Sequence, residues 1–195
     1  IRPTSLSLQG RFKTVGICFY PYALKSIFGL HASELTDACL DITLITNGLK
    51  EQLLNSSSVA QQIDTLSNYI LSQIRKKASA VDGVTQYALM QIVKSKGNLS
   101  LKYLQKELQL SERGFQRKFD QHVGISPKLF SRVCRFQASL AQLKNNRYAN
   151  LSDIAFDNGY ADQSHFIRSF KEFAGFSPYQ FQKHKRPLAE NFSVF

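Results

Sequence analysis

The stretch "DNGYADQSHFIRSFKEFAGFSP", Asp157–Pro178, has a rougher echo earlier in the chain, "FQRKFDQHVGISP", Phe115–Pro127. Phe115, Arg117, Phe119, Gly124, Ser126, Pro127 and Phe130 stand beside Phe166, Arg168, Phe170, Gly175, Ser177, Pro178 and Phe181 at one constant offset of 51. Repetition at a fixed period is the mark of a duplicated structural unit. In each copy two phenylalanines four residues apart share a helix face, so the arginine between them in sequence faces elsewhere. Arg117 and Arg168 are therefore expected on an outer surface. There each pairs with a carboxylate such as Asp120 or Glu172, or meets a polyanion, and duplication in a basic setting favours the polyanion.

Helix starts and stops punctuate the whole second half. Ala88, Leu89, Ile92 and Val93 predict a helix ended by Gly97, and Leu101, Leu104 and Leu108 a short one capped near Ser100. Ser111 is the expected N-cap of the next helix and Gly124 its stop. Ser126 followed by Pro127 restarts a helix, because proline fits the first helical position. Phe130, Val133, Phe136 or Gln137, Leu140 and Leu143 carry that helix to about Lys144. The pattern then recurs: a short helix with Leu151, Ile154 and Ala155 ends at Gly159, Asp162 caps a helix bearing Phe166, Phe170 and Phe173, and Ser177–Pro178 opens a last one with Phe181.

The first half is less legible. "RFKTVGICFY", 11–20, puts Val15, Ile17 and Phe19 at period two and predicts a strand ended by Pro21. "YALKSIFG" predicts a short helical turn closed by Gly29. Val59, Ile63, Leu66, Ile70 and Ile74 recur at helical spacing up to the basic run 75–77, an amphipathic helix. "ASAVDG", 78–83, is the expected linker.

At 195 residues and 43% hydrophobic the chain holds one full domain and part of another. Net charge is +11, and it is unevenly placed: residues 1–93 carry +2, residues 94–195 carry +9. Basicity in the C-terminal half suits a partner whose phosphates release counterions on binding. The chain begins at Ile1 without a basic-then-apolar leader, so no signal peptide is read and the natural N-terminus is expected to lie upstream. No stretch approaches the roughly 18 apolar residues of a membrane span, and a cytoplasmic location is expected. Cys18, Cys39 and Cys134 are widely spaced, which argues for free thiols over a disulfide framework or zinc knuckle. His31, Glu34 and Asp37 have a spacing that would suit a metal, but no second cluster joins them and a solvated face is the expected reading. No GxSxG, HExxH, P-loop or GxGxxG occurs, so neither an enzyme nor a cofactor is expected.

A short helix, a tight turn and a second helix, repeated in a basic half, is helix-turn-helix logic. The residues "LSDIAFDNGYADQSHFIRSFKEFAGFSP" resemble the second helix-turn-helix of AraC/XylS-type transcription regulators, with the pattern GYxDxSHFxRxFKxxxGxSP almost intact. The resemblance covers about Gly83 to His184. It implies a mainly α chain in which a seven-helix DNA-binding domain, 83–187, holds two helix-turn-helix units at about 99–124 and 150–175. A long helix, about Pro127 to Lys144, joins them. It also implies that 1–50 is the tail of a β-rich sensory domain and that 51–82 is a linker helix able to dimerise.

Carried over position by position, the family's base-reading sites fall on Arg113, Gln116 and Arg117 in the first unit and on Gln163, Ser164, His165 and Arg168 in the second. Arginine forks suit guanine O6 and N7, glutamine pairs bidentately with adenine, and serine or histidine serves several edges. His165 has a competing reading as a capping or surface histidine. Lys102, Lys128, Ser152 and Lys171 are expected at phosphates, with backbone amides at the helix starts near Ser152, Pro127 and Pro178. The implied partner is a double-stranded DNA operator, with RNA polymerase, a homodimer through the N-terminal region and a small-molecule effector left open. A DNA-repair methyl acceptor with the same domain, or an interaction module without sequence specificity, are the alternatives. The first unit departs from the pattern: Gln105 replaces a small alanine, Gln109 replaces the turn glycine, and Gly114 sits inside the reader helix at about 1 kcal/mol against alanine. A looser first reader is expected.

Overall fold

The computed structural model describes residues 15–17, 19–20, 22–36, 41, 43, 46, 48–76 and 82–184. Regular structure among them is helical: α1 (Ala23–Phe28), a 3-10 turn (Ala32–Leu35), α2 (Leu49–Leu54), α3 (Val59–Lys76), α4 (Gly83–Lys94), α5 (Leu101–Glu107), α6 (Glu112–Val123), α7 (Pro127–Lys144), α8 (Leu151–Asp157), α9 (Gln163–Ala174) and α10 (Pro178–His184). The strand expected over 11–20 is absent from its described residues, Val15, Gly16, Ile17, Phe19 and Tyr20. The remainder of that stretch, and most of the linker 78–83, lie outside the described residues. The described residues form two compact units: one comprises 87–116 and 126–184, the other the described residues up to 86 together with 117–125.

In the first unit the core is aromatic. Phe166 and Phe170 of α9 are fully buried, with rings 5.8 Å apart, and Phe136 of α7 lies 5.3 Å from both Phe170 and Phe173. Ile154 and Ala155 of α8, Tyr160, and Phe181 of α10 complete this cluster. Phe136, rather than Gln137, is the inward residue of α7 at that register. Each buried ring is worth about 3–5 kcal/mol against alanine, so α9 is held to α7, α8 and α10 by packing, not by propensity.

The two helix-turn-helix corners share one construction. After α8, Gly159 at φ 68° is left-handed, the Gly159 N–H donates to the Phe156 carbonyl (3.0 Å) and the Tyr160 N–H to the Ala155 carbonyl (2.9 Å). After α5, Gln109 at φ 53° is left-handed, its N–H donates to the Lys106 carbonyl (3.1 Å), and the Leu110 N–H to the Gln105 carbonyl (3.0 Å). Both are Schellman closures. These turns superpose at an offset of 50, whereas the caps that follow, Ser111 and Asp162, differ by 51. Ala161 is the extra residue. A Cβ at Gly159 would meet the end of the Asn98 side chain, which would have to shift, while the left-handed backbone angle itself favours glycine.

In the second unit α3 packs on α1 and α2. None of its residues is buried, and Val59, Ile63, Leu71 and Ile74 are 40–49% exposed. The end of α6 is tied to N-terminal elements: Lys118 Nζ pairs with Asp82 at 2.8 Å, Thr36 donates to the Gly124 carbonyl at 2.8 Å, and His122 lies 3.5 Å from Lys25 and 3.7 Å from Asp82. Burial raises the Asp82 carboxyl, but the Lys118 and Thr85 hydrogen bonds and the nearby cations outweigh it and hold it below the ordinary range. Burial, aided by the Lys25 charge, lowers the His122 imidazole despite Asp82.

Two outcomes follow from these features. Gln109→Gly relieves a left-handed backbone angle that disfavours L-residues by about 1–2 kcal/mol, partly offset by the freer unfolded chain, and stability rises by about 0.5–1 kcal/mol in urea unfolding. Because His122 is depressed, the unfolded chain takes up its proton first, so stability is full above the unfolded value of 6.5 and declines as pH falls below it. His122→Gln flattens the dependence of Tm on pH in that window.

Candidate nucleic-acid interface

α9 exists because its ends are satisfied and its two faces differ. The Asp162 carboxylate accepts the His165 N–H at 2.6 Å, and Gly175 closes the helix at φ 81° with its N–H on the Lys171 carbonyl. With Phe166, Ser169, Phe170 and Phe173 buried, the 3.6-residue repeat leaves Gln163, Ser164, Arg168 and Lys171 exposed. Glu172, one carboxylate that could have neutralised Arg168, is instead engaged by Arg132. Among the described residues no hydrogen bond or ion pair engages the Arg168 guanidinium.

Two of the expected contact residues meet one another. The Ser152 hydroxyl donates to Gln163 Oε1 at 2.8 Å, which ties the start of α8 to the start of α9. Gln163 thus has its amide N–H groups open and one lone pair of its oxygen used; the second lone pair stays available, so bidentate pairing with adenine is compatible with the Ser152 bond. His165 is half-buried: its Nδ1 accepts the Ala161 N–H at 3.3 Å and its ring meets Tyr160 edge-on at 5.3 Å. The local partners make it part of the α9 entry as well as a surface group.

α6 presents Arg113, Gln116 and Arg117 as exposed residues, while Phe115 and Phe119 are buried one turn apart. Ser111 Oγ accepts the Gly114 N–H at 3.1 Å, and a Cβ at Gly114 would sit 3.1 Å from the same oxygen. That cap crowds the position and gives the glycine a local reason. Gln105 is half-buried where its counterpart Ala155 is fully buried. Lys102 and Lys128 are exposed near the starts of α5 and α7.

No group of three His, Cys, Asp or Glu residues able to hold a metal occurs among the described residues, and Asp37 lies outside them. Cys134 is buried in α7, and burial pushes its thiol up to about 12. A methyl acceptor needs the thiolate, so Cys134 is unsuited to that role; Cys18 and Cys39 lie outside the described residues. Also among the described residues, no helix is long and apolar enough to cross a membrane. Arg132 and Arg135 went unremarked in the sequence reading. Their signal was present as two cations one turn apart on a helix otherwise read only for its apolar face.

A family model described as a helix-turn-helix domain matches residues 104–184. Those residues thus carry a helix-turn-helix domain. A second model, a domain of unknown function (DUF6597), matches residues 1–41. A Haemophilus influenzae protein named an uncharacterized HTH-type transcriptional regulator is 28% identical over 148 residues, covering 69% of this chain and 49% of its own length. A Staphylococcus aureus protein of the same printed description is 28% identical over 94 residues, covering 48% of this chain and 12% of itself. The chain therefore spans about half the length of the first relative and a small part of the second. A crystal structure described as "a probable AraC family transcriptional regulator" from Rhodopseudomonas palustris aligns with 52% of this chain and 99% of its own at 22% identity, with a TM-score of 0.43.

With its thiol near 12, Cys134 is ionised at pH 8 in only about one molecule in ten thousand. Iodoacetamide at that pH leaves Cys134 unmodified in the native protein and alkylates it in denaturant, read by mass mapping of the Cys134 peptide.

Proposed function

We propose that this chain is a sequence-specific, double-stranded-DNA-binding transcription regulator that reads its operator with α6 and α9. One observation carries the reading: two corners of the same Schellman construction, in the basic half of the chain, each lead into a helix with buried phenylalanines on one face and exposed arginine on another. In this reading α4 to α10 form one seven-helix DNA-binding domain, 83–187, and the two reader helices enter successive major-groove segments about one helical turn, roughly 34 Å, apart.

Base edges fall to Arg113, Gln116 and Arg117 in the first reader and to Gln163, Ser164, His165 and Arg168 in the second. Lys102, Lys128, Ser152 and Lys171 bear on phosphates and set orientation. The second reader carries more of the specificity, because its turn uses glycine where the first strains a glutamine, and because Ala155 is fully buried where Gln105 is not. Residues 1–50 belong to a sensory domain with β-rich character, open to a small-molecule effector, and 51–82 form the linker. The apolar edge of α3 is where two copies pair, and RNA polymerase is the further partner at the promoter. The protein works in the cytoplasm and without catalysis.

The test separates reading from mere attraction. Arg168→Ala weakens binding to a cognate operator by about 1–3 kcal/mol and relaxes preference at one base pair, whereas Lys171→Ala weakens all sequences alike and lowers the salt slope by about one. Electrophoretic titration on operator and scrambled duplexes measures both. Equal losses for Arg168→Ala on the two duplexes, or preference for a single strand over a duplex, would refute the proposal.

A further inference from the structure

At the offset of 51, α4 and α7 bury the same positions: Ala88 with Ser139, Leu89 with Leu140 and Ile92 with Leu143. Each helix also carries a half-buried glutamine at one matched position, Gln91 on α4 and Gln142 on α7. Each is followed by a corner whose first helix ends in a carboxylate, Glu107 of α5 and Asp157 of α8. The two glutamines are used differently. Among the described residues no hydrogen bond engages the Gln91 side chain, and Glu107 is taken instead by the Tyr87 hydroxyl at 2.6 Å. Gln142 is engaged through both donors and its oxygen: Nε2 donates to the Asp157 carboxylate at 2.7 Å and to the Arg147 carbonyl at 3.1 Å, and Oε1 accepts from Asn158 Nδ2 at 2.7 Å.

Asn158 stands where the first copy has Leu108, at the offset of 50 that superposes the turns, and it is only 2% exposed. Its other Nδ2 hydrogen goes to the Ile154 carbonyl at 2.9 Å. Leucine at the matching place shows that the corner closes without an amide there, so making the turn is not what the amide does. Burying an amide costs free energy unless it is hydrogen-bonded, and even then its net stabilisation is small. What it supplies is direction. A hydrogen bond weakens steeply with distance and angle, whereas apolar contact is non-directional. Each amide also has one orientation open to it, since the carboxylate and the two carbonyls only accept and must face N–H groups. The pair therefore holds the end of α8 at one setting on α7. Among the described residues α4 and α5 share one side-chain hydrogen bond, that of Tyr87 with Glu107, and it is exposed.

We propose that Gln142 and Asn158, braced by Asp157, are positioning residues: they hold the second corner at one setting along α7 and thereby narrow the half-site spacing that the protein accepts in DNA. The inference rests on the DNA-binding reading above and adds to it a device that reading does not use, since none of the three residues is among those assigned to bases or phosphates. α7 is the spacer between the corners, so play between α7 and α8 becomes play in the distance from one reader to the other. Two linked binding modules reinforce each other only when both sites can be engaged together, so a stiff spacer makes affinity depend steeply on half-site separation and a loose one does not. One base pair added between half-sites moves one of them by about 3.4 Å along the axis and turns it about the duplex.

The full chain first selects a preferred duplex from a random pool, and that duplex is remade with one base pair inserted or removed between its half-sites. Fluorescence anisotropy gives the affinity for each. The parent loses about tenfold or more on either change, while Asn158→Leu, which installs the residue of the first copy, and Gln142→Met each lose about threefold or less. The double variant tolerates the changes no better than either single one, because both break one shared interaction. A duplex carrying only the second half-site, identified as the one whose binding falls with Arg168→Ala, checks that α9 itself is intact: both variants bind it as the parent does. Variants that keep the parent's spacing penalty, or that lose the single half-site, overturn the inference, the second result showing that these residues build α9 rather than place it. A parent indifferent to spacing also overturns it and leaves the regulator reading standing. A pool that yields no preferred duplex refutes that reading, and the inference falls with it.

Discussion

The packing of Phe170 and Phe173 against Phe136, with Phe166 on Phe170, is the constraint on which the second half of the molecule depends. Phe170 and Phe173 of α9 each meet Phe136 of α7 at 5.3 Å, Phe166 meets Phe170 at 5.8 Å, and together they dictate which way α9 is rotated about its axis. Once that rotation is set, the positions between the rings have no freedom to turn inward. Arg168 is exposed because Phe166 and Phe170 are buried. The duplicated α6 obeys the same rule, with Phe115 and Phe119 buried and Arg117 outside. A polar surface of defined residues is thus a by-product of an apolar decision.

The turns show how much a duplicated sequence can drift while a backbone stays put. Glycine at 159 and glutamine at 109 hold the same left-handed angle and close the same pair of hydrogen bonds. The second copy meets the requirement without strain and leaves room for the end of the Asn98 side chain. The first copy meets it at a cost, and its neighbour Gln105 keeps a larger side chain where the second has Ala155. The physical weakness of the first corner is local, confined to one dihedral and one packing position.

Most helix boundaries from Gly97 onward were legible because they rest on a chemical device with a sequence signature; the Asn150 capping box of α8 and the Gln109 closure of α5 were not. Serine or aspartate caps at Ser100, Ser111, Ser126, Asp162 and Ser177, glycine stops at Gly97, Gly124, Gly159 and Gly175, and proline at the first turn of α7 and α10 appear in the letters themselves. What was not legible depends on partners distant in sequence. The alternation of Val15, Ile17 and Phe19 is compatible with a strand, yet a strand needs a second one beside it, and the described residues there form none. α2 has too short an apolar pattern to announce itself. The bond between Ser152 and Gln163 joins residues from two helices that were read separately, so each was assigned outward while in the fold they engage each other. Likewise the diversion of Glu172 from Arg168 to Arg132 is a matter of three-dimensional reach across 40 residues.

α7 carries both apolar and charged contacts. Its apolar face, Phe130, Phe136, Leu140 and Leu143, is buried and forms the platform for the second corner. Its other faces are not inert: Arg132 stacks over Phe173 at 5.2 Å while holding Glu172, and Arg135 reaches the Gly97 carbonyl in the loop before α5 and the Tyr160 ring after α8. A Cβ at Gly97 would collide with the Ser131 carbonyl, so that loop lies directly on α7. Arg135 therefore touches the segments that enter the first corner and leave the second.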